Sequence, residues 1–229
     1  MARRRKPPEP PGGEFWPYPC FLGLAPEHSD LRKAKVVVLP LPYEGTTSYG
    51  AGTRFGPGAI IEASKELEFY DRKTGTEAAT ELGFHTMPPL FPDFSGPSRM
   101  IDAVAKVAAG VLKSSRFLLS LGGEHSVTVG LVRAAARKWR DLCLVQVDAH
   151  AALRPSYEGT RHSHACSMRR CLEHLPAGKN PRLIQVGIRN ISEQGNTFRR
   201  SRRGRVRTLW AEDILADTRG RWLEVVSEL

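Results

Sequence analysis

Two short motifs place imidazole and carboxylate side chains directly after apolar runs of the chain. The motif GGEH ends at His125 and follows the run 117–121, and the motif DAH supplies Asp148 and His150 after the run 142–147. Alternate residues of an extended chain point the same way, so Asp148 and His150 project together. A carboxylate with two imidazoles suits a hard-to-borderline divalent metal ion. These residue types predict a metal or catalytic cluster, to which His164 adds a nearby imidazole.

Each motif also has a structural interpretation. A lone D-x-H occurs often by chance, and a histidine after Gly-Gly-Glu can cap a helix or bond backbone carbonyls. The functional hypothesis depends on the motifs falling at the ends of neighbouring strands of one sheet, where ligands collect in open α/β folds.

The elements that must position these residues alternate along the chain. Nearly continuous apolar runs predict buried strands, and apolar spacing of three and four predicts helices. The alternation of the two predicts right-handed crossovers and a mostly parallel sheet. The strands are expected at 35–39, 117–121, 142–147 and 183–188, and the helices at 57–69, 100–112, 127–139 and 165–172. The Gly-, Ser- and Thr-rich stretch 43–55 predicts a loop, and no G-x-G-x-x-G or P-loop motif supports nucleotide binding.

The composition favours a globular protein and argues against a membrane-spanning or secreted one. With 229 residues, 41% hydrophobic and 25% charged, the chain suits one globular domain at 14–229, preceded by a disordered, basic, proline-rich tail at 1–13. No apolar stretch is long enough to span a membrane, and no secretory signal is readable. Four scattered cysteines without a C-x-x-C pair predict reduced thiols and a cytoplasmic protein.

The positive charge raises the question of an acidic partner. The net charge is +10, and much of it falls in the run from Arg199 to Arg207, which has one nearby aromatic, Phe198. A solvated loop or helix face is the preferred interpretation, with nucleic-acid binding through this run as the alternative.

The stretches GTRFGPGAI (52–60), LGGEHSVTVG (121–130), VDAHAALR (147–154) and SHACSMRR (163–170) together resemble the ureohydrolases, the arginase and agmatinase superfamily, and agmatinases most closely. The resemblance implies a three-layer α/β/α fold with a mostly parallel sheet. It also implies two Mn²⁺ ions that activate a bridging water, which attacks a guanidinium carbon and releases urea and an amine. For agmatinases the products are urea and putrescine, which belong to polyamine metabolism.

The resemblance also assigns residues. His125 matches a ligand of one manganese, Asp148 a carboxylate that bridges both, and His150 a ligand of the other. His164 matches the histidine that handles protons or contacts substrate. We expect His125 and Asp148 to lie close enough to share one ion. The ammonium end of a guanidino substrate could face Glu44 or Glu158, and charge alone does not choose between them.

The chain departs from the family pattern in two places. The second motif of the family is D-x-H-x-D, whereas Ala152 stands at its last position, and no D-x-D pair occurs among the eight aspartates. We therefore expect a chain that lacks the later strand of the family, either as a fragment or as a frameshifted product, and that is weakly active or inactive. The alternatives are a non-catalytic relative that keeps the fold as a scaffold, and a nucleic-acid-binding protein. We further expect a homo-oligomer with no membrane partner, and self-association through an interrupted sheet and the apolar face of Trp222, Leu223, Val226 and Leu229.

Overall fold

The computed structural model describes residues 19–176, 182–202, 204–217, 220 and 222–227 of the 229-residue chain. Strands and α-helices alternate along this described part, as the apolar pattern predicts. In chain order they are α1 (Pro26–Ser29), β1 (Val36–Leu41), α2 (Gly56–Ala63), α3 (Ala78–Leu82), β2 (Phe84–Thr86), α4 (Pro97–Leu112), β3 (Phe117–Gly122), α5 (Val127–Lys138), β4 (Leu144–Val147), α6 (Ser167–His174), β5 (Leu183–Ile188), α7 (Glu193–Ser201), β6 (Val206–Trp210), α8 (Ala211–Ala216) and α9 (Trp222–Ser227).

All strand pairs are parallel, but they form two sheets rather than one. The first sheet has the order β2-β1-β3, and the second has the order β4-β5-β6. In the described part of the chain no backbone ladder joins β3 to β4. The expectation of a parallel sheet is therefore confirmed in direction, while the continuity of that sheet is interrupted between its third and fourth strands.

Helices cover both faces of the first sheet. On one face, Leu39 and Leu41 of β1 pack with Met100 and Val104 of α4. On the other face, Val38 and Leu121 pack against Ile61 of α2. Burying both faces explains why β1 consists of six buried residues in a row. The architecture is the expected three-layer α/β/α arrangement.

The second sheet shares its core with α5 and α6. Leu183, Ile188 and Val206 pack in one cluster with Val132 of α5 and Met168 of α6. Because α5 follows β3 and also packs on this second sheet, one helix holds the two sheets together and fixes the ends of β3 and β4 relative to each other.

Strand β1 continues through a proline, which the sequence does not lead one to expect. The predicted strand stops at Leu39, whereas the observed strand includes Pro40 and Leu41. Pro40 accepts a hydrogen bond from Leu90 N on the side of β2, where β2 has already ended at Thr86. The backbone N–H that proline lacks would therefore have had no ladder partner on that side.

Other boundaries differ from expectation. The helix expected at 57–69 ends at Ala63 and is followed by a 3₁₀ turn at Ser64–Glu66. The strand expected at 142–147 begins two residues later, at Leu144. The helix expected from Met100 begins at Pro97, and the helix expected at 165–172 is a 3₁₀ turn, His164–Cys166, followed by α6. The short strand β2 and the strand β6 have no counterpart among the predictions.

Some expectations lie outside the described residues. These are the disordered tail at 1–13, the residues 14–18 that begin the predicted domain, Arg203, and the side chains of Val226 and Leu229. In the part of the chain that the structure describes, no helix combines the length and apolar character needed to cross a membrane.

Candidate active site

The turn after β3 is built by close backbone contact. Gly123 donates its N–H to Leu41 O, and a Cβ at this position would lie 2.1 Å from Tyr43 O. Only glycine allows this approach. Glu124 is buried, and its carboxylate accepts hydrogen bonds from Ser126 N at 2.8 Å and Ser126 Oγ at 2.7 Å. Glu124 therefore holds the start of α5 and is not a free acid at the site.

The glycine turn brings His125 against the loop after β4. His125 Nδ1 lies 3.8 Å from Asp148 Oδ2. Burial lowers the pKa of His125, while the carboxylates of Asp148 and Glu124 act in the opposite direction. Burial is the larger effect, so it favours the neutral imidazole, the form that binds metal ions and accepts protons.

Asp148 and His150 follow β4 on either side of a bend at Ala149, not on the extended chain that the alternation predicts, and both line the same cavity. Asp148 Oδ1 accepts a hydrogen bond from His150 N at 2.9 Å, and the same oxygen lies 3.8 Å from His150 Nδ1. The His150 side chain is 72% exposed, whereas that of Asp148 is 26% exposed. The carboxylate thus lies between the two imidazoles of His125 and His150.

A chain of two buried amides holds Asp148, and no motif of the sequence predicted it. Gln146 Nε2 donates to Asp148 Oδ2 at 2.9 Å, and Gln185 Nε2 donates to Gln146 Oε1 at 2.7 Å. Thr208 Oγ1 then donates to Gln185 Oε1 at 3.1 Å. The relay crosses β4, β5 and β6 and orients the carboxylate. The available signal was a glutamine inside each of two apolar runs, LVQV and LIQVGI.

His164 is fixed by the loop that follows β1. Its backbone N–H donates to Thr46 Oγ1 at 2.9 Å, and its Nδ1 lies 2.5 Å from Thr46 O. A carbonyl only accepts hydrogen bonds, so this contact assigns the proton of the neutral ring to Nδ1 and leaves Nε2 with its lone pair. The ring also stands edge-on to Tyr157 at 5.9 Å between centroids.

One cavity of about 570 Å³ joins these four candidate residues. His125, Asp148, His150 and His164 all line it. The other lining residues, most of which the sequence analysis did not single out, are Ser48, Tyr49, Ala151, Ala152, Leu153, Arg154, Tyr157, Ala165, Asn190, Ile191 and Ser192. The motifs therefore meet at one cavity, although the strands that precede them, β3 and β4, belong to two sheets and not, as expected, to one.

Neither carboxylate suggested for a substrate ammonium group lines the cavity. Glu44 Oε2 instead accepts hydrogen bonds from Gly52 N, Thr53 Oγ1 and Arg54 N, and its side chain is 4% exposed. These hydrogen bonds lower the pKa of Glu44, and the bond from Arg54 N has the largest effect. Glu44 therefore closes the loop 44–54.

Glu158 lies at the tip of a two-residue turn. Tyr157 and Thr160 exchange both backbone hydrogen bonds, and Glu158 and Gly159 have φ values of 47° and 78°. Positive φ at both central residues is the geometry of a type I′ turn. Glu158 is exposed there. Among the described lining residues Asp148 is the one carboxylate.

The donors of the site do not form a complete metal-ligand set. Within the described residues, no group of three or more His, Cys, Asp or Glu side chains is arranged to hold a metal ion. Asp148 pairs with His125 and with His150 at 3.8 Å, and Ala152 lines the cavity where a further carboxylate would help. The residues present therefore do not fit the two-manganese centre that the resemblance implies.

Two arginines of the run, Arg202 and Arg205, contact neighbouring parts of the structure. Arg205 Nη2 donates to the carbonyls of Leu172 and Leu175 at the end of α6. The ring of Phe198 has the Arg169 guanidinium 4.2 Å and the Arg202 guanidinium 5.6 Å from its centroid. Phe198, the aromatic considered for stacking on a base, thus already has cationic partners. Nucleic-acid binding through this run stays an alternative prediction.

A sequence profile described as "Arginase family" matches residues 34–228. The chain belongs to the arginase family. This match covers both strand-end motifs, the loop after β1 and the amide relay, so the whole cavity lies within the family region.

Relatives in the arginase family are similar over most of this chain. An N(1)-aminopropylagmatine ureohydrolase of Synechocystis sp. is 38% identical over 187 residues, which cover 79% of this chain and 58% of that protein. An agmatinase of Bacillus cereus is 35% identical over 143 residues, which cover 62% of this chain and 49% of that protein. The chain therefore spans about half the length of these curated relatives.

Solved structures of the family share the fold. The crystal structure of the agmatine ureohydrolase of Thermoplasma volcanium superposes with a TM-score of 0.78 at 30% sequence identity. The superposition covers 93% of this chain and 68% of that one. The similarity confirms the arginase-like α/β/α fold that the motifs indicated.

Proposed function

We propose that the cavity is a guanidino-hydrolase site of the agmatinase type, which binds a linear guanidino compound such as agmatine. In this reaction one water is consumed, the bond between the guanidinium carbon and the amine nitrogen breaks, and urea and putrescine are formed. The observation that carries the proposal is that His125, Asp148, His150 and His164, which come from three separate segments, line one cavity. We also propose a cytoplasmic, homo-oligomeric protein of polyamine metabolism.

The residues present suggest how such a substrate would be held. The Asp148 carboxylate, fixed by Gln146 and by His150 N, is the anionic partner for a guanidinium group. Hydrolysis removes a proton from water and delivers one to the departing amine. His164, with its Nδ1 proton directed at Thr46 O, has Nε2 available to accept and return that proton.

For this chain by itself we propose weak or absent hydrolysis. Two Mn²⁺ ions in the family would supply the acidified water, and the donors described above do not form a set that could hold them. A second candidate, a non-catalytic relative of the same fold, is favoured by Ala152, because this internal position carries a methyl group in place of the carboxylate of the family motif.

Urea release and agmatine binding together test these two functions. With added Mn²⁺ we expect no urea release above background, and turnover of roughly 1 to 10³ s⁻¹ would overturn the inactive proposal. By calorimetry we expect agmatine to bind and Asp148→Asn to abolish the heat of binding. Asp141→Asn, which removes an exposed aspartate outside the cavity, is the matched control. A chain that folds but does not bind agmatine at millimolar concentration would favour the scaffold.

A further inference from the structure

A small cleft outside the candidate active site lies between α6, α7 and the turn before β6. It has a volume of about 190 Å³, and its lining residues are Arg169, Leu172, Glu173, Phe198, Arg202 and Arg205. We call this space the arginine cleft. It shares no lining residue with the cavity of Asp148, so it is a separate site. We propose that the arginine cleft binds a phosphate group, either as the free ion or as the phosphate end of a small metabolite.

The charges around the arginine cleft do not balance. Among the described residues that line it, Glu173 is the one carboxylate. That carboxylate already pairs with Arg161 Nη2 at 2.9 Å and with Arg170 Nη1 at 3.2 Å. Within the described part of the chain, none of the three lining arginines forms an ion pair. The excess of positive charge attracts an anion to this cleft.

Two of the lining arginines are held by an aromatic ring. The guanidinium carbons of Arg169 and Arg202 lie over the Phe198 ring, at 4.2 Å and 5.6 Å from its centroid. Attraction to the face of a ring uses none of the five N–H groups that a guanidinium can donate. No acceptor among the described residues takes a hydrogen bond from either side chain. The ring therefore positions two cations whose donors stay available to a ligand.

The third arginine, Arg205, is anchored at the end of α6. Its Nη2 donates to Leu172 O at 3.2 Å and to Leu175 O at 3.1 Å, while its Nε is buried without a hydrogen-bond partner among the described residues. Burial lowers the pKa of Arg205, and the positive charges of Arg202 and Arg182 lower it further. A bound anion would offset this repulsion between like charges, which the described residues leave uncompensated.

The size and charge of the arginine cleft favour a phosphate group as its ligand. Its volume of 190 Å³ is below the roughly 300–1,000 Å³ of pockets that enclose a whole drug-sized molecule, so it suits one small group. A phosphate monoester carries about −1.5 to −2 charges at pH 7 and three strong acceptor oxygens, whereas a carboxylate carries a single charge. Guanidinium groups bind phosphate through paired, charge-assisted hydrogen bonds.

Single-stranded nucleic acid is a poorer occupant than a small phosphate compound. Such strands bind with their bases stacked on aromatic rings. Phe198 is the one aromatic residue that lines the arginine cleft, and its ring already lies beside two guanidinium groups. The same ring packs against the core cluster that contains Met168 and Leu172. A base would have to displace one of these contacts, whereas a phosphate group leaves them in place.

Calorimetry with inorganic phosphate on the 229-residue chain tests the proposal. The titration uses metal-free buffer of low ionic strength, because salt screens exposed charges. We expect a Kd of about 1 mM or below, and a rise in the temperature of thermal unfolding, since a ligand of the folded state stabilises it. Glycerol 3-phosphate is titrated in parallel. Tighter binding of the ester would assign the cleft to a phosphorylated metabolite, and tighter binding of inorganic phosphate would assign it to the free ion.

Substitutions locate the binding in the arginine cleft. Arg202→Gln removes an exposed cation of the cleft and should weaken phosphate binding by about tenfold or more. Arg202→Lys keeps the charge but not the planar fork of donors, and should bind with intermediate affinity. Arg200→Gln makes the same change in net charge at an exposed residue of α7 outside the cleft, and should bind as the parent does. Arg169→Gln is the substitute if Arg202→Gln does not fold by circular dichroism.

Three results would refute the proposal. The first is no binding of either phosphate compound at about 10 mM. The second is equal weakening by Arg200→Gln and Arg202→Gln, which would reduce the effect to overall charge. The third is binding of a single-stranded RNA of about 20 nucleotides that Arg202→Gln abolishes and inorganic phosphate does not displace, which would assign the arginines to nucleic acid. None of these measurements reads hydrolysis, so they stand or fall separately from the proposed activity.

Discussion

At the scale of single residues, the backbone at Ala152 has a conformation that alanine seldom adopts. Its φ is 49°, in the left-handed region, and its carbonyl accepts hydrogen bonds from Met168 N and Arg169 N. Asp and Asn enter this region several times more readily than other non-glycine residues. The loop therefore retains a backbone geometry suited to a short polar side chain, although the side chain present is a methyl group.

This geometry predicts that Ala152→Asp folds normally and still does not hydrolyse agmatine. The free energy of unfolding should stay within about 0.5 kcal/mol of the parent or rise, because aspartate suits the left-handed backbone. The new carboxylate enters the cavity of Asp148 and His150, so Mn²⁺ should bind more tightly in calorimetry. Urea release should stay at background, because one added donor does not supply the remaining ligands of a two-ion centre.

The matched control is Ala152→Asn, which has the same backbone preference and no charge. It should equal Ala152→Asp in thermal unfolding and differ from it in Mn²⁺ affinity. Recovery of urea release by Ala152→Asp alone would show that the ligand set is more nearly complete than the described donors indicate.

The amide relay below Asp148 leads to a second prediction. Gln146→Leu removes the donor to Asp148 Oδ2 and leaves Gln185 Nε2, which is buried, without one of its acceptors. We expect a loss of about 1–3 kcal/mol in the free energy of unfolding by urea titration, and weaker agmatine binding. Thr208→Val, at the far end of the relay, should cost about 1 kcal/mol and leave binding nearly unchanged. Equal loss of binding in both variants would contradict the assigned positioning role of Gln146.

Some residues of the candidate site could be predicted from their sequence neighbours, whereas others have roles that depend on contacts formed only in the folded chain. His125, Asp148 and His150 could be predicted because each lies shortly after the end of an apolar run, where ligands collect in parallel sheets. The role of Glu44 could not, because its partners, Gly52 and Arg54, meet it only after the loop has closed. The relay was missed for the same reason, since Gln146 and Gln185 become neighbours only when β4 pairs with β5.

At the scale of elements, the contact between α4 and α5 depends on one glycine. A Cβ at Gly130 would lie 2.6 Å from Ile101 O and 2.8 Å from Val104 Cβ. Backbone cannot move aside as the end of a flexible side chain can. Gly130→Ala should therefore destabilise the protein by about 1–3 kcal/mol through overpacking, measured by denaturant titration.

Gly110→Ala, on the other helix of the pair, is the matched control. Nothing lies within 4 Å of a Cβ at Gly110, so alanine should stabilise α4 by up to about 1 kcal/mol through helix propensity. Opposite signs for the two substitutions would support the packing; two equal losses would refute it.

The elements themselves were predictable where their pattern was long. The strands β1, β3, β4 and β5 and the helices α4 and α5 follow from apolar runs and spacing. The expected burial is found in β1 and β5, whereas most residues of β3 and β4 are partly or fully exposed, so the expectation of buried strands at 117–121 and 142–147 was wrong. Strand β2 has only three residues, too few to show an apolar periodicity. Strand β6 includes Arg207 and begins within the basic run, so its apolar residues do not form a continuous stretch. The division into two sheets has no local signature, because strand neighbours are chosen by tertiary packing.

At the scale of the whole molecule, buried imidazoles couple stability to pH. His162 Nδ1 is buried and has no hydrogen-bond partner among the described residues. Burial lowers the pKa of His162, the cations Arg161 and Arg170 lower it further, and Glu173 and Asp102 oppose this shift. A protonated ring would carry a second N–H with nothing to accept it, so the folded state prefers the neutral form.

This preference fixes the sign of the pH dependence. Because the pKa of His162 is lower in the folded than in the unfolded protein, the unfolded state binds more protons as the pH falls below the usual histidine value of about 6.5. The folded state should therefore lose stability as the pH falls from about 7 toward 5, by about 1 kcal/mol or less per pH unit from this group. His162→Gln should flatten the slope in thermal or urea unfolding, because glutamine takes up no proton in this range. A slope that His162→Gln leaves unchanged would assign the acid sensitivity to other groups and would imply that the buried Nδ1 finds an acceptor on protonation.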